Sequence, residues 1–162
     1  MHDYIVANVA YDESLIRHSS YDDLAYGTTV CQGYALLMYK MLQKVGIESI
    51  IVKSRPMQHV WNMVYIDGNW YYVDATWDDP VPYVLGGINY HYYNLSDYEM
   101  ELGENGEAHI WDKTKYPRAE ISYDWYLEEK LEDKKENAST TKIDVSTANA
   151  LLLNIKLNKM FQ

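Results

Sequence analysis

The stretch His59-Val60-Trp61-Asn62-Met63-Val64-Tyr65-Ile66-Asp67-Gly68-Asn69-Trp70-Tyr71-Tyr72-Val73-Asp74-Ala75-Thr76 decides the fold. Two runs rich in β-branched and aromatic residues flank Asp67-Gly68, which predicts a hairpin with strands over 59–66 and 69–76. Asp-Gly suits a type I′ turn, because both central residues of that turn need positive φ and glycine takes it without strain. With a two-residue loop Ile66 faces Asn69, Trp61 faces Asp74 and His59 faces Thr76. His59 and Asp74 then share one face as diagonal neighbours, roughly 7–8 Å apart at the backbone. A three-residue loop would put them on opposite faces, so the pairing stands on the turn.

Upstream, apolar residues at 3-and-4 spacing (Ala35, Met38, Met41, Leu42, Val45) predict a helix over about 30–45, with Gly46 as its C′ residue. A short helix is expected from His2 to Tyr11, a polar connector from Ser19 to Thr29 and a strand over Ile47–Lys53. Thr29-Val30-Cys31-Gln32 has the form of a capping box, with Thr29 as N-cap and Gln32 at N3. Cys31 would then lie in the first helical turn, where unpaired N–H groups and the helix dipole favour an anion. A lone cysteine is ordinarily a small buried apolar side chain. At a helix start it is instead placed for a thiolate, which is the nucleophilic form, and the nearby N–H groups suit a tetrahedral oxyanion. Cys31 as nucleophile, His59 as general base and Asp74 as the group that orients the imidazole make a coherent set.

Composition sets outer limits. The chain has 162 residues, 48% of them hydrophobic and 23% charged, which is globular composition of single-domain size. A net charge of −10 argues against nucleic acid as partner, since phosphate binding needs clustered Lys and Arg. No apolar run reaches the roughly 18 residues of a membrane span. One cysteine excludes an intramolecular disulfide and a four-cysteine zinc site. There are 17 Tyr and 5 Trp but 1 Phe, a set that suits either a tyrosine-rich sheet or a half-buried groove for an extended peptide.

Three blocks in order resemble the bacterial transglutaminase-like family: Val30-Cys31-Gln32-Gly33-Tyr34-Ala35 with Gly46-Ile47, then His59-Val60-Trp61-Asn62, then Trp70-Tyr71-Tyr72-Val73-Asp74-Ala75-Thr76-Trp77-Asp78-Asp79-Pro80. The likeness is strongest over 22–80 and extends loosely to His2-Asp3-Tyr4-Ile5-Val6 and to Tyr92-Tyr93-Asn94-Leu95-Ser96-Asp97. It implies a papain-like α+β fold, with the cysteine helix packed on an antiparallel sheet. It also implies acyl transfer through a thioester on a protein or peptide amide, either a glutamine side chain or a peptide bond, without a cofactor. Transglutaminases, peptidases and amidases all belong to this family. An extracellular or cell-surface setting is pointed to by the resemblance only. The segment Tyr26-Gly27-Thr28-Thr29-Val30 is shorter than the family's usual connector, which leaves an upstream oxyanion donor unassigned. Family members also carry helical sequence before the block at His2, so the expected division is a transglutaminase-like domain over 1–127, lacking its N-terminal part. Residues 128–162 follow as a charged linker and a C-terminal segment.

Other residues divide between packing and binding. Trp61, Trp77 and Gln32 are candidates for substrate contact, with core packing as the alternative for the two tryptophans. Asn62 alternates away from His59 and takes no catalytic role. Asp78 and Asp79 read as a solvated turn, since no loop offers the six to eight oxygens calcium requires. His91 and His109 lack metal-ligand spacing and read as surface or groove residues, so no metal is expected. The rival to an enzyme is a non-catalytic peptide-binding or cell-surface module that retains the fold.

Overall fold

The computed structural model describes residues 1–14, 27–80, 82, 84, 87–103 and 106–140, with side chains to 134. Most of the Ser19–Thr29 connector and the whole Ile143–Gln162 segment lie outside the described residues. The chain forms α1 (His2–Asn8), β1 (Ala10–Tyr11), β2 (Thr28–Thr29), α2 (Cys31–Lys44), β3 (Ser49–Ser54), β4 (His59–Ile66), β5 (Asn69–Val73), β6 (Tyr93–Leu95), α3 (Asp97–Leu102), a 3-10 turn (Lys113–Lys115) and α4 (Tyr123–Thr140). The architecture is mixed: helices accompany a four-stranded antiparallel sheet of order β3-β4-β5-β6. Helix α4 runs across residue 128, where the charged stretch begins.

The hairpin follows its turn chemistry. Asp67 and Gly68 adopt φ of 51° and 88°, the positive pair a type I′ turn demands. Ile66 pairs with Asn69 and the register continues to Asn62 opposite Val73. The alternation of the strands then builds two cores. Val64, Tyr71 and Val73 face α2 and pack on Tyr34, Leu37, Met38 and Leu42. Val52, Trp61, Met63 and Tyr72 face the other way and pack with Tyr92, Met100 and Ala119. Asn62, on the α2 side, donates from Nδ2 to the Ala35 carbonyl at 3.0 Å, which ties β4 to the cysteine helix.

Helix α2 ends at Lys44, and Gly46 takes φ of 77° beyond it. Val45, placed in the apolar stripe by spacing alone, is 58% exposed because the helix stops before it. The helix start also differs from the expected capping box. Thr29 belongs to β2, which pairs in parallel with β1 and accepts the Asp12 N–H at 2.8 Å. Its side chain does not cap the helix; Val30 is the N-cap, and no side-chain oxygen serves that end. Cys31 is therefore the first helical residue and Gln32 the second, so Gln32 cannot close a box from N3.

Beyond Pro80, where the pattern of the sequence weakens, the chain adds β6 against β5 and then α3. That helix has the capping box that Thr29 lacks: the Ser96 hydroxyl accepts the Glu99 N–H, and the Glu99 carboxylate accepts the Ser96 N–H. Ser96-Asp97-Tyr98-Glu99 carries this signal openly.

Candidate active site

His59 opens β4 and Asp74 follows the last residue of β5, so both lie at one end of the sheet. Both project to the face away from the body of α2. The N-terminus of α2 closes this end, and the Cys31 thiol lies near enough to the His59 ring to help raise its pKa. His59 Nε2 donates to Asp74 Oδ2 at 2.5 Å, which leaves Nδ1 as the nitrogen available to the thiol. Cys31 is partly exposed, whereas His59 and Asp74 are buried.

Asp74 is fully buried, and its carboxylate is satisfied on both oxygens. Oδ1 accepts the backbone N–H of Thr76 at 3.0 Å and of Trp77 at 3.2 Å. Oδ2 accepts from His59 and also from His109 Nε2, at 2.9 Å. Burial opposes the charge, but His59 first, with the hydrogen bonds from His109 and His59, holds this carboxyl well below the usual carboxylate range. For His59, burial alone would lower the ring's pKa. The charge and hydrogen bond of Asp74, with the Cys31 thiol, outweigh that and raise it to about 9.

His109 corrects the sequence reading. It is 1% exposed rather than a surface or groove residue, and its ring packs among Trp77, Trp61 and Tyr92 at centroid distances of 4.2, 4.7 and 5.0 Å. Its backbone N–H donates to the Met100 carbonyl at 2.8 Å, and the next carbonyl, of Ile110, accepts the Ser54 hydroxyl. His109 lies 35 residues from Asp74 on an irregular segment, so no periodicity could have brought the two together. His91 borders a cavity of about 460 Å³ with Trp77, Tyr92, Gly106 and Glu107.

The donor atoms of His59, Asp74 and His109 lie within 4.8 Å of one another, the spacing of a small metal site. Both Nε2 atoms contact the same carboxylate oxygen directly, at 2.5 and 2.9 Å, as hydrogen bonds to Asp74 would.

The tryptophans divide. Trp61 is buried behind the His59 ring, nearly parallel to it at 5.7 Å. Trp77 is half-buried, lies 5.1 Å from the same ring, and borders both the His91 cavity and a second of about 500 Å³ lined by Tyr11, His59, Thr76, Asp79, Pro80 and Asn89. Gln32 is exposed beside Cys31.

Asp78 and Asp79 are buried, contrary to the expected solvated turn. Asp78 accepts His2 Nε2 and the Tyr92 N–H, both at 2.9 Å, and Asp79 accepts the Tyr34 hydroxyl at 2.6 Å. Burial pushes both carboxyls up despite these partners.

Residues 1–75 match the model of the transglutaminase-like superfamily. Kyphoscoliosis peptidase of Mus musculus and that of Homo sapiens are each 33% identical over a segment covering 35% of this chain and 11% of the relative. The chain thus spans about a tenth of the length of these relatives. Two solved structures are similar to part of the chain. One is a TGase, at TM-score 0.41 and 16% identity over 46% of this chain and 24% of its own. The other is a candidate cysteine protease from Cytophaga hutchinsonii, at TM-score 0.39 and 24% identity over 54% of this chain and 32% of its own. Among the described residues no helix is long and apolar enough to cross a membrane.

Proposed function

We propose that this chain performs cysteine-dependent acyl transfer on protein or peptide amides through a thioester. One observation carries the reading: the buried His59 ring is held by the Asp74 carboxylate at 2.5 Å, with the Cys31 thiol among the groups that raise its pKa. In this reading His59 takes the thiol proton through Nδ1 while Asp74 fixes the ring through Nε2. The sulfur attacks the amide carbon, and the amine leaves with the proton His59 returns. Water or an amine then attacks the thioester and releases Cys31. With its pKa raised to about 9, the His59 ring holds its proton near neutral pH, which favours the thiolate form of Cys31 beside it.

The partly exposed sulfur and the cavity bordered by His59 and Trp77 are consistent with a bound peptide segment. Trp77 and Gln32 are the residues proposed to meet it. Trp61, buried behind His59, supports the ring from within.

The test is iodoacetamide labelling of Cys31, the single cysteine of the chain. The wild type should label more than about tenfold faster than an unactivated thiol near pH 7, and His59→Ala should remove the excess. Equal, slow labelling of both proteins would overturn the reading. Incubation with a glutamine peptide and a labelled amine then separates the acceptors. Amine incorporation with ammonia release marks a transamidase, whereas a deamidated or cleaved peptide marks a hydrolase.

A further inference from the structure

We infer that His109 is a positioning residue of this site, whose Nε2–H holds the Asp74 carboxylate and shares with His59 the oxygen that orients the His59 ring. The inference rests on the acyl-transfer reading for its meaning, but its geometry stands independently. Asp74 Oδ2 is shared between two imidazoles, at 2.5 Å from His59 and 2.9 Å from His109. Each hydrogen bond donated to an oxygen withdraws charge from it, so the one from His109 weakens the pull that Asp74 exerts on a proton at His59.

The tautomer follows from burial. His109 Nδ1 is buried and has no hydrogen-bond partner among the described residues. A proton placed there would be an unsatisfied buried donor, which is costly, so the ring carries its proton on Nε2 and directs it to Asp74. Few other ionisable groups face this ring. Asp74 and His59 are the charged ones in contact, and the Tyr92 ring lies 5.0 Å away with its phenol pushed up by burial. Trp61 and Trp77 close the rest of the contact. The arrangement has a use in acyl transfer. A carboxylate with four donors on two oxygens remains an anion, so the proton taken from the thiol stays on His59, from which it can be handed to the leaving amine.

Proton and nitrogen NMR of the histidine rings tests this in the full chain. In the wild type, His109 should show the Nε2–H tautomer; an Nδ1–H tautomer, with a bare Nε2 facing Asp74, would overturn the proposal without any mutant. His109→Leu removes the donor but keeps an apolar side chain among the rings. It should raise the His59 titration midpoint by about one pH unit, and His109→Gln, whose amide N–H can reach the same oxygen, should bring it back toward the wild type. An unchanged or lowered midpoint in folded His109→Leu would overturn the proposal. A purely structural role would lower the melting temperature and leave the midpoint in place. These readouts come from the histidine rings and not from Cys31 labelling, so slow iodoacetamide labelling would sink the acyl-transfer reading while leaving the His109 result standing on its own.

Discussion

Two buried histidine–carboxylate pairs lie a few residues apart at this end of the fold, His59–Asp74 and His2–Asp78, and their surroundings set them to different tasks. In each, imidazole Nε2 meets a carboxylate Oδ2, at 2.5 and 2.9 Å. The second ring nitrogen separates them. That of His2 lies 3.1 Å from a further carboxylate, Asp3, whereas the His59 ring has the Cys31 thiol among the groups that raise its pKa. The carboxylates diverge too. Asp74, with four donors and a charged neighbour, is held below the ordinary range, while Asp78, for which burial dominates, is pushed above it. His2–Asp78 therefore fastens α1 to the segment after β5 and meets no thiol among the described residues. The same pair of residue types becomes a candidate base only where a thiol completes it.

The largest expected effect breaks this contrast directly. His59→Ala should remove the labelling excess at Cys31, more than about tenfold, whereas His2→Ala should leave the rate within about threefold. A loss of comparable size in both would mean that the two pairs form one unit. Next is Asp74→Ala, which strands four donors in a buried site and should cost roughly 3–5 kcal/mol in denaturant unfolding. Asp78→Ala leaves only the Tyr92 N–H and His2 without their acceptor and should cost less, roughly 1–3 kcal/mol.

The pH dependence sharpens the comparison. The folded pKa of His59 is raised, so its contribution is fully present below the unfolded value near 6.5 and is lost as pH rises through about 9. The stability difference between wild type and His59→Gln should therefore shrink by roughly 2–3 kcal/mol between pH 6 and pH 10, as followed by thermal or denaturant melts. Asp74 has the opposite sign: its contribution is present above the unfolded carboxylate value near 3.9 and is lost as pH falls through its lower folded value. Smallest is Gly68→Ala. At φ of 88° an alanine is strained, and a loss of about 1 kcal/mol with unchanged Cys31 labelling is expected if the hairpin register survives.

The hairpin was legible because its information is local. Asp67-Gly68 dictates the turn, the turn dictates the register, and the register puts His59 and Asp74 on one face. The helix carrying Cys31 was legible in its body but not at its first residue, because Thr29 was claimed by a parallel strand partner 18 positions away, an exchange that a four-residue motif cannot foresee. The burial of Asp78 was hidden for a similar reason, since an Asp-Asp-Pro string looks like a solvated turn until α1 lays His2 against it. Ser96-Asp97-Tyr98-Glu99 is a different kind of omission, a short local signal present in the residues themselves.

By itself the sequence determined the strands, the turn between them and the alternation that turns two ionisable side chains toward each other, all consequences of a two-residue period and one glycine. Only the tertiary structure decided that the start of α2, with Cys31, comes near His59, and that His109 comes in behind Asp74. A fully buried carboxylate needs donors on every side, and the chain supplies the last of them from a loop whose position is set by Met100 and Ser54 rather than by any pattern along the chain.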